Sequence, residues 1–77
     1  MIKVLLFSHL REDMGKNSIV IDKEQMSIKE VKEYISGLNA NCLLQNVVAA
    51  VNEEYSEDDR VVGAGDTVAL IPPVGGG

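Results

Sequence analysis

The sequence has few of the residues from which catalytic and metal sites are usually built. It contains one cysteine, Cys42, and one histidine, His9, in 77 residues. A single cysteine excludes an internal disulfide and is typical of a reducing compartment. The apolar neighbours of Cys42 favour a small core residue over a nucleophile. His9 has no cysteine near it and is interpreted as a surface loop residue, so nothing in the sequence supports a Cys–His pair.

Long apolar stretches are also absent. The longest runs, residues 47–51 and 68–71, are far too short to span a bilayer. The N-terminus begins directly with strand-like residues and lacks the basic region and small-residue cleavage site of a signal peptide. These features predict a cytoplasmic protein.

A chain of 77 residues is one domain. Domains of this size bury only about 60% of the surface of the unfolded chain, which leaves little room for both a core and a deep catalytic pocket. The length therefore favours a binding or carrier module over a self-sufficient enzyme.

Positive charge is scarce in the second half of the chain. Residues 1–32 carry six Lys/Arg and five Asp/Glu, whereas residues 33–77 carry one and seven, which together give the net charge of −5. Phosphate backbones repel such a surface, so nucleic acid is an unfavourable partner. A basic protein partner and simple solubility both explain the acidic surface.

The first half of the chain predicts two strands and a helix. Residues 2–8 have apolar side chains on both faces and predict a central strand; residues 9–16 predict a loop, and residues 18–22 a second, antiparallel strand. Ser27 and Glu30 form a capping box that starts a helix. The helix ends near residue 38, and its apolar stripe consists of Ile28, Val31, Ile35 and Leu38.

The second half predicts further strands. Residues 41–46 predict a short helical turn, 47–51 a third strand, the region of Tyr55 a short strand, 63–66 a turn and 67–71 the last strand. The order β-β-α-β-(β)-β predicts an α+β, β-grasp (ubiquitin-like) fold with a mixed sheet packed on one main helix. We expect this domain to span residues 1–73, with residues 74–77 as a flexible tail.

Two groups of residues resemble ligand-binding motifs but do not have the spacing that these motifs require. The acidic residues Glu53, Glu54, Glu57, Asp58 and Asp59 lack the spacing and glycine of a calcium loop and are interpreted as a solvated loop. Gly63-Ala64-Gly65 opens no helix and has valine where a dinucleotide fingerprint needs its third glycine.

The C-terminus, Ile71-Pro72-Pro73-Val74-Gly75-Gly76-Gly77, is the most informative segment. Frayed ends are common, but the prolines would direct the chain off the sheet edge, and four residues beyond them can extend to roughly 13–14 Å. Glycines carry no Cβ, so such a thread can enter a narrow tunnel. A terminal carboxylate can be adenylated by ATP and converted by sulfide to a thiocarboxylate. The ATP and metal chemistry would belong to a separate activating enzyme, because this chain has no phosphate loop.

Several segments in order resemble the MoaD family, the small sulfur-carrier subunits of molybdopterin synthase. The similarity covers essentially the whole chain. It rests on Val4-Leu5-Leu6-Phe7-Ser8-His9-Leu10-Arg11-Glu12, Val48-Ala49-Ala50-Val51-Asn52, Gly65-Asp66-Thr67-Val68-Ala69-Leu70 and the Pro-Pro-Val-x-Gly-Gly end. Ser8 stands where the family usually has alanine, and Gly75 where alanine or serine is common.

The resemblance implies a chain that is not an enzyme on its own. An E1-like adenylyltransferase would adenylate Gly77 with ATP and Mg, Gly77 would carry the thiocarboxylate, and Gly76 would be its required neighbour. The tail would insert into the large synthase subunit and pass sulfur to cyclic pyranopterin monophosphate. Pro72, Pro73, Val74 and Gly75 would be tunnel and interface residues. Arg11 matches a family position without an assigned role, and no cofactor or metal is expected on this chain.

Two alternatives remain open. The thiazole-pathway sulfur carrier, ThiS, has the same fold and Gly-Gly end, but it is usually shorter and lacks both Pro72-Pro73 and the segment from Phe7 to Glu12. The second alternative is a β-grasp interaction module whose glycines do no chemistry. Mass spectrometry of the terminus separates that module from a carrier.

Overall fold

The computed structural model describes residues 1–38 and 47–72. The described elements, in chain order, are β1 (Ile2–Leu6), α1 (His9–Met14), β2 (Ser18–Ile21), β3 (Gln25–Ser27), α2 (Ile28–Leu38), β4 (Val48–Val51), β5 (Glu54–Ser56), β6 (Val61–Gly63) and β7 (Thr67–Ile71). The short helical turn predicted at residues 41–46 lies outside the described residues, as does Cys42.

Five strands form one mixed sheet in the order β2-β1-β7-β4-β5. β1 pairs antiparallel with β2 and parallel with β7, and β7 pairs antiparallel with β4. β1 is therefore an interior strand, as its two apolar faces predicted. The mixed sheet packed on α2 confirms the β-grasp prediction.

The core lies between α2 and one face of the sheet. Strand residues alternate between this face and the other, so every second side chain on β1 and β7 is buried. The helix contributes Ile28, Val31 and Ile35, all fully buried. Leu38 was predicted to complete that stripe, but it is 51% exposed. It lies at the edge of the stripe and is the last residue of the helix, so the stripe ends at Ile35.

The loop predicted for residues 9–16 is wrong, because residues 9–14 form helix α1. Leu10 is fully buried, and Met14, one helical turn later, packs against the core. Gly15 ends the helix in the left-handed conformation, with φ of 70°, and its N–H donates to the Arg11 carbonyl oxygen at 2.9 Å. The polar majority of this segment concealed the Leu10–Met14 spacing, and His9 lies exposed on a helix rather than in a loop.

Two further strands, β3 and β6, were not predicted. They form a separate antiparallel pair in which Met26 lies opposite Val62. Each strand has three residues and only one buried side chain, so there is no alternation for a sequence pattern to reveal. This strand pair brings Asp58, which precedes β6, beside α2. The Lys32 Nζ lies 2.8 Å from a carboxylate oxygen of Asp58.

The capping box at the start of α2 is confirmed, and the first turn of the helix is fully bonded. The Ser27 N–H donates to the Glu30 carboxylate at 2.9 Å, and the Glu30 N–H donates to the Ser27 hydroxyl at 3.1 Å. Two more N–H groups donate to backbone carbonyl oxygens between β5 and β6. The N–H of Ile28 donates to Arg60 at 2.8 Å, and the N–H of Lys29 donates to Asp58 at 3.0 Å. All four N–H groups that a helix start leaves unpaired therefore have partners.

A second network joins the turn between β4 and β5 to the start of β7. The Asn52 amide oxygen accepts the N–H of Thr67 at 3.1 Å, and its amide nitrogen donates to Asp66 at 3.0 Å. The other Asp66 oxygen accepts the N–H of Gly63 at 2.8 Å. These two hydrogen bonds hold the pKa of Asp66 below its ordinary value of 3.8. The bond from the Gly63 N–H has the larger effect, and the bond from the Asn52 amide has the smaller one.

Replacing Ser27 by alanine tests the capping box. We expect Ser27→Ala to lower the free energy of unfolding by about 1 kcal/mol, because the Glu30 N–H loses its acceptor. In a domain of this length that loss corresponds to a fall of roughly 4–8 °C in Tm. Lys29→Ala is the matched control, since its exposed side chain makes no capping bond. Equal Tm values for the two variants would contradict the role of the cap.

Acid titration tests the Asp66 network. The folded-state pKa of Asp66 is depressed, so its stabilising contribution is present above the unfolded-state pKa and is lost as pH falls through the folded-state pKa. We expect Asp66→Asn to melt below the wild type at neutral pH. The difference in Tm should close progressively below pH 3.8. Thermal unfolding followed by circular dichroism across this range measures it, and a difference that stays constant into acid would exclude the carboxylate as its source.

Candidate functional site

The C-terminal segment begins in the middle of the sheet. β7 lies between β1 and β4, and Pro72 follows its last residue and is buried. The prediction that the chain leaves from the sheet edge is therefore wrong: it leaves from the end of a central strand. Pro73, Val74, Gly75, Gly76 and Gly77, the remaining predicted site residues, lie outside the described residues.

The sheet face that points away from α2 is apolar, and we call it the open face. Register places Leu5 of β1 opposite Ala69 of β7, Ala69 opposite Ala50 of β4, and Ala50 opposite Tyr55 of β5. These four side chains form one row across the sheet. Ile71, the last residue of β7, lies on the same face, because strand side chains alternate.

The row has small residues at its centre and large ones at its ends, which produces a concavity. Its volume is about 660 Å³, and its lining residues are Leu5, Phe7, Ala50, Asn52, Glu53, Tyr55, Thr67, Ala69 and Ile71. Ala50 and Ala69 form the floor. Because Ile71 is part of the lining, the concavity reaches the point from which the tail departs.

Large apolar side chains on this face are exposed in the described part of the chain. Tyr55 is 78% exposed, and Phe7 and Val48 are each 42% exposed. Contiguous exposed apolar surface is typical of a protein–protein contact site. The arrangement is therefore suited to docking a partner beside the end of β7.

Sequence reasoning missed the open face, although its signal was available. Leu5 and Phe7 make the second face of the first strand apolar, and the apolar character of both faces predicted only that this strand is central. Ala69 and Ile71 repeat the same pattern on β7. Two neighbouring strands that are apolar on both faces, in a domain with one main helix, predict one covered face and one exposed apolar face.

The other candidate groups in the described residues are not part of the lining of the concavity. Arg11 and His9 are exposed on α1. Within residues 1–38 and 47–72, no set of His, Cys, Asp or Glu side chains is arranged to hold a metal ion. Neither described helix is long and apolar enough to cross a bilayer.

Comparison with known proteins gives a family and a fold. A model described as the ThiS family matches residues 4–77. The molybdopterin synthase sulfur carrier subunit of Dictyostelium discoideum is 36% identical over 97% of this chain and 94% of its own length. That of Escherichia coli strain K12 is 30% identical over 100% of both chains. These relatives confirm the resemblance to the molybdopterin synthase sulfur carriers.

Solved structures agree on the fold. Small archaeal modifier protein 1 of Haloferax volcanii superposes with a TM-score of 0.78 at 21% identity, covering 95% of this chain and 97% of that one. A chain from the protein–protein complex of subunits 1 and 2 of the Helicobacter pylori molybdopterin-converting factor gives a TM-score of 0.65 at 22% identity, covering 99% and 97%. At these identities the likeness concerns the β-grasp fold alone.

A pair of substitutions tests whether the open face is dispensable for folding. Tyr55→Ser should change the free energy of unfolding by no more than about 0.5 kcal/mol, as is usual for exposed positions. Leu70→Ala, at a fully buried side chain on the other face, should cost about 2–5 kcal/mol. Denaturant unfolding measures both. A large loss of stability for Tyr55→Ser would show that the open face serves the fold rather than a partner.

Proposed function

Since the chain belongs to the ThiS family, we propose that it is the sulfur-carrier subunit of a molybdopterin synthase. The observation that carries this proposal is the 36% identity, over nearly the whole length of both chains, to a molybdopterin synthase sulfur carrier subunit. The family model alone does not separate this function from the thiazole-pathway alternative. The names of the curated relatives favour molybdopterin synthase.

The proposed chemistry takes place on the terminal carboxyl group of Gly77. A carboxylate oxygen attacks the α-phosphorus of ATP on an E1-like adenylyltransferase, and pyrophosphate leaves. Sulfide then attacks the acyl carbon, AMP leaves, and a thiocarboxylate remains. On the large subunit this sulfur bonds to a side-chain carbon of cyclic pyranopterin monophosphate in place of an oxygen substituent. Water then cleaves the acyl C–S bond and returns Gly77 to a carboxylate. In this proposal ATP and Mg are bound by the activating enzyme, and this chain supplies only the reacting terminus.

The open face gives the proposal a docking surface for the large subunit. It joins an exposed apolar concavity to the root of the tail, so a partner seated on it receives the tail directly. Ordering tail glycines costs roughly 1–2 kcal/mol per residue, so the globular body must supply most of the affinity. The relatives are carrier subunits of a synthase, and the Helicobacter pylori structure is a complex of two subunits. Both findings support a heteromeric assembly.

The remaining sequence predictions become parts of the same proposal. Residues 1–73 act as the docking body and residues 74–77 as the flexible tail, with Pro73, Val74 and Gly75 in the tunnel of the large subunit. Pro72 is the one predicted interface residue among the described residues, and it is buried against its own domain. Its proposed role is therefore to fix the direction of the tail. The cytoplasmic location and the inactivity of the isolated chain stay predictions.

Truncation of the tail tests the proposal. We expect deletion of Gly77, and separately Gly76→Val, to leave Tm unchanged and to abolish sulfuration of the pterin. The acyl carbon that carries sulfur belongs to Gly77, and a side chain at position 76 would displace it; a misplacement of ~1 Å can cost ~100-fold in rate. Thiocarboxylate formation and pterin sulfuration are measured with purified activating enzyme and large subunit.

The control is Lys29→Ala, at an exposed residue of α2 on the opposite side of the sheet from the open face, which should sulfurate the pterin at the wild-type rate. Sulfuration at the full rate by the Gly77 deletion would overturn the carrier function. Unfolding of the deletion variant would instead make the terminal glycines structural.

A further inference from the structure

The turn between β4 and β5 has an unusual backbone at a glutamate. Asn52 and Glu53 form the two-residue connection of this hairpin, and their φ angles are 50° and 75°. Positive φ at both central residues is the property of a type I′ turn, in which asparagine is favoured first and glycine second. Glu53 occupies the glycine position, where its Cβ makes the left-handed conformation unfavourable.

The fold explains Asn52 but not Glu53. The Asn52 side chain bonds to Thr67 and Asp66 and so joins two turns. The Glu53 carboxylate makes no hydrogen bond or ion pair to any described residue. Glycine at this position would therefore give a more stable hairpin, and the strain at Glu53 is offset by no contact in the described part of the chain. Strain of this kind concentrates at functional positions.

The location of Glu53 shows what its carboxylate faces. It lines the open-face concavity beside Tyr55 and Thr67. The next residue, Glu54, lies opposite Val51, which is buried toward α2, so its side chain belongs to the other side of the sheet. Of these two adjacent glutamates, only Glu53 lines the concavity of the open face.

We propose that Glu53 is a recognition residue that pairs with a lysine or arginine of the large subunit docked on the open face; this inference rests on the proposed function. The partner surface would place an apolar side chain over Ala50 and Ala69, with a basic group at the edge next to Tyr55. The acidic excess of residues 33–77, which carry one basic and seven acidic side chains, favours a basic group on the partner. The turn holds the carboxylate at the rim of the concavity at the expense of hairpin stability.

Three variants separate charge from turn geometry. Glu53→Gln keeps the shape and removes the charge, Glu53→Gly removes the charge and relieves the strain, and Glu54→Gln is the matched control on the other side of the sheet. Binding of each full-length chain to the purified cognate large subunit is measured by calorimetry at low and high salt, and Tm is measured for each free chain.

We expect Glu53→Gln to weaken binding about tenfold at low salt, with a smaller difference at high salt, because the lost interaction is between charges. Glu53→Gly should weaken binding to a similar degree while raising the Tm of the free chain by roughly 4–8 °C. Glu54→Gln should change neither quantity. A variant that is more stable and yet binds less well is not what a merely structural residue produces.

The possible failures are distinct. If the wild-type chain does not bind the large subunit at all, the proposed function fails and this inference fails with it. If Glu53→Gln binds as tightly as the wild type, or if the loss appears only with the activating enzyme, the pairing with the large subunit is overturned and the carrier function stands. Weaker binding by Glu53→Gly alone would assign the effect to the turn and would also overturn the proposed charge pair.

Discussion

The parallel pairing of β1 with β7 in the middle of the sheet determines which side chains are buried and where the described part of the chain ends. It makes β7 a central strand, with β1 on one side and β4 on the other. Val68 and Leu70 then face α2 and are fully buried. Ala69 and Ile71 necessarily face the other way. One pairing therefore fixes the core, the open face and the starting point of the tail.

The face of the sheet toward α2 stabilises the fold, and the open face is the proposed docking surface. The face toward α2 carries large aliphatic side chains, and their burial supplies the main stabilisation that a domain of this size has. The open face carries alanines at its centre, which add little to stability and leave a concavity between Leu5 and Tyr55. The strained Glu53 at its rim has the same character: it makes the free chain less stable than glycine would. These residues add little to the stability of the free chain or lower it, so their surface is available to bind a partner.

Much of the fold could be predicted because its signals are local. The Ser27–Glu30 cap and the stripe from Ile28 to Ile35 located α2. The apolar run of residues 68–71, ended by Pro72-Pro73, located β7. α1, β3 and β6 were missed because each buries one or two side chains, too few to form a period. The position of β7 between β1 and β4 depends on long-range pairing, which no local pattern encodes. The C-terminal glycines are a contiguous motif and could be singled out from the sequence. The open face depends on the pairing of distant strands, so it was not predicted.

Mass spectrometry of the intact protein can determine whether Gly77 carries the sulfur. The chain is incubated with its activating enzyme, ATP, Mg and sulfide, and the terminal fragment is then sequenced in the mass spectrometer. We expect a mass gain equal to the replacement of one oxygen by sulfur, confined to the Gly77 carboxyl group and dependent on ATP. An unmodified terminus, or sulfur found on Cys42 instead, would contradict it.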